Sequence, residues 1–143
     1  MFNFAVFSHF ISTFASEFTL TYNYTTLQDK LLNTIVEGLQ DSKAHDIQII
    51  DMRQLEEAAF QYFVVCEGTS STQVYGIANT LMKHVRQELD TRDQGTVGMN
   101  NRLWVAIDYG HILVHIFQPE TRAFYSLETL WEDAKITKIQ DID

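Results

Sequence analysis

The sequence predicts an α/β fold, a mixed sheet of about five strands flanked by helices and arranged as a single domain. Two observations favour this class. Short runs rich in β-branched and aromatic residues alternate with longer segments whose apolar residues recur every three or four positions. Near the C-terminus, two apolar runs are separated only by a turn. The length of 143 residues fits one domain, since domains usually have roughly 100 to 200 residues.

The first half of this domain contains one predicted helix and two predicted strands. Thr26 can cap a helix, with Asp29 three residues later in a capping-box arrangement, and an apolar stripe continues to about Ser42. Residues 46–52 and 60–66 are short and rich in β-branched or aromatic side chains, which is typical of strands. An acidic connection joins the two strands.

A second predicted helix and a loop come next. Residues 73–89 have apolar side chains at helical spacing, and the preceding Gly-Thr-Ser-Ser stretch at 68–71 offers a Ser or Thr cap. Residues 93–101 hold two glycines and two asparagines, which predicts a loop, with a short strand at Thr96 and Val97.

The hairpin near the C-terminus is predicted to turn at residues 108–110, with the glycine in the left-handed region. A three-residue loop there would place Ile107 opposite His111 and Trp104 opposite Val114.

Two C-terminal segments follow the hairpin. Residues 120–131 look helical, and residues 133–143 look like an acidic tail.

Charge and composition exclude several classes of protein. Ten Lys and Arg against 19 Asp and Glu give a net charge of −9, which repels a phosphate backbone at long range and favours a basic protein partner. We therefore expect no sequence-specific nucleic-acid binding. Cys66 is the only cysteine, so a disulfide framework is excluded, and no apolar run is long enough to cross a membrane. These features favour a reducing cytoplasm.

Residues 1–25 differ in composition from the rest of the chain. They hold six of the ten Phe residues and no Lys or Arg. A segment without basic residues fits neither a secretory signal nor an organelle transit peptide. We expect an atypical extension, disordered or produced by a misplaced start codon, although an ordered extra element is a third interpretation. The domain proper is then residues 26–143.

Candidate metal and catalytic residues have structural interpretations. His111 and His115 lie four residues apart on a predicted strand, about 13 Å from each other, which is too far to chelate one ion. The 68–71 stretch lacks the glycine spacing of phosphate-binding loops, which favours helix capping. Asp108 has no neighbouring carboxylate to share a metal, and Cys66 lies within an apolar run, which is typical of inert packing.

Aromatic residues are the stronger candidates for binding a partner. Trp104 follows a flexible loop and is the aromatic residue most expected at the surface, and Tyr109 lies in the hairpin turn. Exposed Trp and Tyr are favoured anchors of protein interfaces because they bury a large area at small entropic cost. Phe124 and Trp131 are assigned to the core.

Three segments resemble the ribosomal silencing factor family, also called Iojap-related proteins. They are FQYFVVCEGTSSTQV at 60–74, WVAIDYGHILVHIF at 104–117 and RAFYSLETLW at 122–131. The resemblance implies a nucleotidyltransferase-like fold without its catalytic carboxylates. It therefore implies a binding protein that is not an enzyme and has no cofactor.

The resemblance also implies a partner and a site. Such proteins bind the large ribosomal subunit through ribosomal protein fourteen, block joining of the small subunit and lower translation when nutrients are scarce. The family's interface falls on Trp104, Asp108, Tyr109 and His115. His111 stands where the family usually has Asp, which removes one negative charge from this site.

Two other functions and the oligomeric state remain open at the level of sequence. The chain could be a nucleotide-binding enzyme that uses the 68–71 turn and Asp108, or an assembly factor of the large subunit. A homodimer is also left open. Glu67, at the position where the family usually has Thr, is a second departure from the family pattern.

Overall fold

The computed structural model describes residues 22–131 and 133–142, with side chains from residue 30 onward. Three α-helices and a 3-10 turn are present in these residues: α1 Tyr22–Asp41, α2 Ser71–Leu89, α3 Pro119–Tyr125 and the turn Leu127–Thr129. The strands are β1 His45–Asp51, β2 Tyr62–Glu67, β3 Gly95–Val97, β4 Trp104–Asp108, β5 Ile112–Phe117 and β6 Lys135–Ile139. None of the described helices is long and apolar enough to cross a membrane.

A single six-stranded sheet with the order β3-β4-β5-β2-β1-β6 organises the described part of the chain. The central pair, β2 and β5, is parallel, and every other neighbouring pair is antiparallel. The predicted class, a mixed sheet flanked by helices, is confirmed. The sixth strand is β6, where an acidic tail was predicted, and that prediction is wrong. Four of its five side chains are exposed, so pairing with β1 holds the strand without an apolar pattern in the sequence.

Helices α1 and α2 cover one face of the sheet. Helix α1 begins at Tyr22, so Thr26 lies inside it and the predicted cap at Thr26 is wrong. Helix α2 agrees with its prediction: the Ser70 Oγ accepts a hydrogen bond from the backbone N–H of Gln73 at 3.1 Å. The core on this face is formed by Ile35, Leu39, Ile47, Val64, Val74, Ile77, Leu81, Val105, Ile107, Val114 and Ile116.

The predicted division after residue 25 falls inside α1. Residues 1–21 lie outside the described residues, so the interpretation of the Phe-rich segment stays a prediction.

The other face of the sheet is covered by the connection at 52–60, by α3 and by the 3-10 turn. The single helix predicted at 120–131 is wrong, because Ser126 adopts a left-handed conformation (φ 45°) that ends α3 and starts the shorter turn. The buried residues on this face are Ile50, Met52, Phe60, Phe63, Val65, Trp104, Ala106, Leu113, Phe117 and Leu127.

The hairpin of β4 and β5 differs from its predicted register. Its glycine has φ +90°, as expected for the turn, but Trp104 pairs with Phe117 and Ile107 with Val114. The register is shifted by three positions because Asp108 remains in the strand and the turn lies further along the chain. An odd shift exchanges the two faces of a strand, so Trp104 shares its face with Phe117 and not with Val114.

Candidate docking face

The four residues predicted to bind a partner lie inside the molecule. Trp104, Asp108 and His115 have no exposed area and Tyr109 is 6% exposed, so the prediction that Trp104 lies at the surface is wrong. The Trp104 Nε1–H donates to His115 Nδ1 at 3.0 Å. Asp108 lies four residues after Trp104 on β4, so the two side chains point to the same face of the sheet. Tyr109 packs into the core on the opposite face, which α1 and α2 cover. The structure therefore unites Trp104 and His115 but places Tyr109 apart from them.

Trp104 and His115 belong to an aromatic cluster on the face opposite α1 and α2. Ring centroids lie 4.7 Å apart for Trp104 and Phe117, 4.6 Å for Trp104 and Tyr125, and 4.5 Å for Phe63 and His115. Tyr125 is only partly buried, so these contacts connect the buried side chains on the sheet to the surface of the protein. We define the aromatic cluster as Phe63, Trp104, His115, Phe117, Tyr125 and Trp131.

Burial sets the chemistry of His115. Desolvation lowers the pKa of its imidazole to about 3, so the ring is neutral at physiological pH. Its Nδ1 accepts the indole proton of Trp104, so the neutral ring carries its own proton on Nε2. This hydrogen bond fixes the orientation of the indole. Within the described residues, no group of three or more His, Cys, Asp or Glu side chains is arranged to hold a metal ion.

The hairpin turn contains two more buried ionisable groups. Burial raises the pKa of the Asp108 carboxyl to about 6, although the backbone N–H of Gly110 donates to its Oδ1 at 2.6 Å. Burial also raises the pKa of the Tyr109 hydroxyl well above its usual value. His111 is half-buried beside them, and its carbonyl accepts backbone hydrogen bonds from Gln61 and Tyr62. These contacts hold the hairpin to β2.

Two exposed apolar side chains lie on α3 and the segment after it. Phe124 is 81% exposed, so its assignment to the core is wrong, and Leu130 is 48% exposed. The Phe124 ring meets Tyr125 edge-on, with centroids 5.0 Å apart. Trp131 is half-buried and contacts Phe63, with centroids 5.2 Å apart. The surface aromatics are thus supported by the aromatic cluster beneath them.

A groove of about 570 Å³ runs beside Trp131. Phe60 and Phe63 belong to its apolar lining, and the exposed Glu56 and Glu57 contribute negative charge. We call this groove, together with Phe124, Tyr125 and Leu130, the docking face. The full lining of the groove is Met52, Gln54, Leu55, Glu56, Glu57, Ala58, Ala59, Phe60, Phe63 and Trp131.

Arg122 anchors α3 to the sheet. It is 6% exposed, its Nε donates to Glu128 at 2.6 Å, and its Nη1 donates to Glu67 at 3.0 Å and to the carbonyl of Asp46 at 2.8 Å. No sequence pattern predicts a role for this residue, because two of its partners lie more than 50 positions away. The only available signal was one basic residue at the start of an otherwise apolar and acidic segment.

The two parts of the possible nucleotide site, Asp108 and the 68–71 turn, lie near opposite ends of strand β5. Asp108 pairs with Leu113 at the start of β5, whereas Gly68 follows β2 and donates its backbone N–H to Phe117 at the end of β5. Leu113 and Phe117 are four residues apart on β5, which corresponds to about 13 Å along the strand. The side-chain oxygen of Gln73 accepts the N–H and the hydroxyl of Thr69, so the start of α2 is capped internally.

Cys66 lies within β2 and is fully buried. Desolvation raises the pKa of its thiol to about 12, which suppresses the nucleophilic thiolate. The prediction that this cysteine packs in the core is confirmed.

A family model described as ribosomal silencing factor during starvation matches residues 25–143. The chain belongs to this family. It is 34% identical over 113 residues to the ribosomal silencing factor RsfS of Halalkalibacterium halodurans, which covers 79% of this chain and 95% of the relative. The resemblance inferred from the three segments is therefore confirmed.

Two further comparisons extend the family likeness. A mouse protein named mitochondrial assembly of ribosomal large subunit protein 1 is 31% identical, over 70% of this chain and 44% of the mouse protein. A crystal structure of a Chromobacterium violaceum protein is 30% identical with a TM-score of 0.67, over 72% of this chain and 84% of that one.

Proposed function

We propose that the chain represses translation by docking on the large ribosomal subunit, through its ribosomal protein fourteen, and blocking the small subunit. Membership of the ribosomal silencing factor family supports a ribosomal role. The observation that carries the docking mode is the exposure of Phe124 on α3, the helix that covers the same face of the sheet as the groove lined by Phe60, Phe63 and Trp131.

The docking face has the composition of a protein interface. Exposed aromatic side chains on a rigid support are frequent hot spots, and Phe124 projects from a helix that Arg122 ties to the sheet. Glu56 and Glu57 would meet a basic partner, because proteins that neutralise RNA phosphates are rich in Lys and Arg. Arg53 does not cancel this charge, since its guanidinium is paired with Asp51 at 2.7 Å.

In this proposal, Trp104 and His115 act from beneath the interface. Their hydrogen bond fixes the indole, and the indole packs against Tyr125 at the surface. Asp108 and Tyr109 hold the hairpin that carries these side chains. Direct contact of these four residues with the partner stays a prediction.

The test is light scattering of purified ribosomal subunits mixed with the protein. We expect the wild-type protein to prevent subunit association and Phe124→Ala to lose this effect while unfolding at the same urea concentration, because Phe124 is 81% exposed. Ile136→Ala is the matched control, since Ile136 is exposed on edge strand β6. Unchanged association at saturating wild-type protein would refute the proposal.

A second candidate function is assembly of the large subunit, which the name of the mouse relative favours. Quantitative immunoblots of gradient fractions through growth distinguish the two functions. A silencing factor accumulates on mature large subunits when nutrients are exhausted, whereas an assembly factor sediments with precursor particles during rapid growth.

The enzyme alternative has its own test. A nucleotide with Mg²⁺ at 100 times its dissociation constant would stabilise the protein by about 2.7 kcal/mol. We expect no shift in the melting temperature, because Asp108 and the 68–71 turn lie near opposite ends of strand β5.

A further inference from the structure

The outer face of α2 carries positive charge in an otherwise acidic protein. Tyr75, Asn79, Lys83 and Arg86 are all exposed, and their spacing of four, four and three residues places them on one side of the helix. The sequence contains no Asp or Glu from position 71 to position 87. This is unusual in a chain with a net charge of −9.

Arg102 adds a further charge to this face from the loop before β4. Its guanidinium lies 3.9 Å from the centre of the Tyr75 ring, and its Nε donates to the carbonyl of Met99. This stacking holds the cation beside the first turns of α2. We define the basic strip as Tyr75, Lys83, Arg86 and Arg102.

The cations of the basic strip form no salt bridges with the described carboxylates. Among residues 30–131 and 133–142, no carboxylate forms a salt bridge with Lys83, Arg86 or Arg102, whereas Arg53 and Arg122 both have carboxylate partners. The twelve residues from Tyr75 to Arg86 span about 16 Å of helix. The strip is therefore long enough to follow an extended anionic chain, and Glu88 with Asp90 marks its C-terminal end.

The basic strip and the docking face belong to opposite faces of the sheet. Helix α2 packs on one face, and the 52–60 connection with α3 covers the other. The two surfaces can therefore be occupied at the same time by different molecules. Apart from Tyr75, the strip has no apolar anchor of the kind that the docking face presents.

We propose that the basic strip contacts the phosphate backbone of RNA in the large subunit while the docking face holds the protein partner. This inference rests on the proposed function. The occupant follows from charge complementarity: Lys and Arg bind phosphates, and the half-exposed Tyr75 ring can lie against a base or a sugar. Contact with phosphates is independent of sequence, so it agrees with the expectation of no sequence-specific nucleic-acid binding.

The experiment measures affinity for purified large subunits and for isolated ribosomal protein fourteen, from 50 to 300 mM salt. The test variant carries Lys83→Glu and Arg86→Glu. The control carries Lys135→Glu and Lys138→Glu, the same change in charge on two exposed lysines of edge strand β6. We expect the test variant to bind subunits at least about tenfold more weakly than the control, with a salt slope smaller by about 1.5. Its affinity for the isolated protein should equal the control's.

Three outcomes would overturn the inference. Equal subunit affinity of the two variants would show that the strip contacts nothing, and would leave the proposed function intact if wild type still binds. Equal weakening toward isolated ribosomal protein fourteen would assign the strip to a protein contact. Failure of the wild-type chain to bind either probe would overturn the proposed function as well. Circular dichroism of both variants checks that each is folded.

Discussion

Replacing Asp108 with Asn should stabilise the protein at neutral pH. The Asp108 carboxyl has no exposed area, and burial raises its pKa from 3.8 to about 6. Repulsion from Asp93 acts in the same direction, and the hydrogen bond from Gly110 offsets part of the effect. An asparagine retains an oxygen for the Gly110 N–H but carries no charge. The substitution therefore removes the cost of burying an ion and keeps the turn.

The magnitude follows from the shift in pKa. One unit corresponds to about 1.4 kcal/mol, so the shift of Asp108 from 3.8 to about 6 lowers the free energy of unfolding by about 3 kcal/mol at neutral pH relative to acid. The pKa is raised in the folded state, so the contribution to stability is complete below pH 3.8 and is lost as pH rises through 6. The advantage of Asp108→Asn should thus grow from about pH 4 to a plateau above pH 7.

The assay is urea unfolding of the wild-type protein and Asp108→Asn from pH 4 to pH 8. Burial lowers the pKa of His115 to about 3, so both proteins lose stability as pH falls below about 6.5, and this loss cancels in their difference. Glu57→Gln, at an exposed carboxylate, serves as the control and should show no such difference. A stability difference that does not vary with pH would refute the reasoning, because a buried ionised carboxylate requires that variation.

Two further predictions concern the support of the docking face. Trp104→Phe removes the donor to His115 Nδ1, so urea unfolding should show a free energy of unfolding lower by about 1 to 3 kcal/mol. The chemical shifts of Tyr125 should also change, because its ring packs against the indole. Unchanged stability would mean that the hydrogen bond is dispensable. Arg122→Met leaves the carboxylates of Glu67 and Glu128 without their partner, so the same assay should show a free energy of unfolding lower by about 3 to 5 kcal/mol. A stabilised variant would show that packing alone holds α3.

Sequence patterns predicted the elements that bury apolar residues. Strands β2 and β5 are apolar on both faces because helices cover one side and α3 with the 52–60 connection covers the other. Helix α2 has a clear apolar stripe and a serine cap. Strand β6 was missed because its side chains are mostly exposed, and backbone pairing leaves no trace in the order of side chains.

The site was harder to predict because it depends on register and on remote contacts. A shift of three positions in the hairpin moved Trp104 to the face it shares with His115 and Phe117. Whether Phe124 points outward depends on how Arg122 fixes α3, and two acceptors of Arg122, the Asp46 carbonyl and the Glu67 carboxylate, come from strands distant in sequence. Composition could identify the aromatic residues that matter, but not which of them would be exposed.

The parallel pairing of β2 with β5 has a consequence for folding. Val64 lies beside Val114 although 50 residues separate them, so their pairing closes a long loop that contains α2, β3 and β4. Non-local contacts of this kind slow folding, because the entropy of loop closure is lost before the contacts form. Phe63 and His115 meet only across this pair, so the docking face should form late and in one cooperative step with the centre of the sheet.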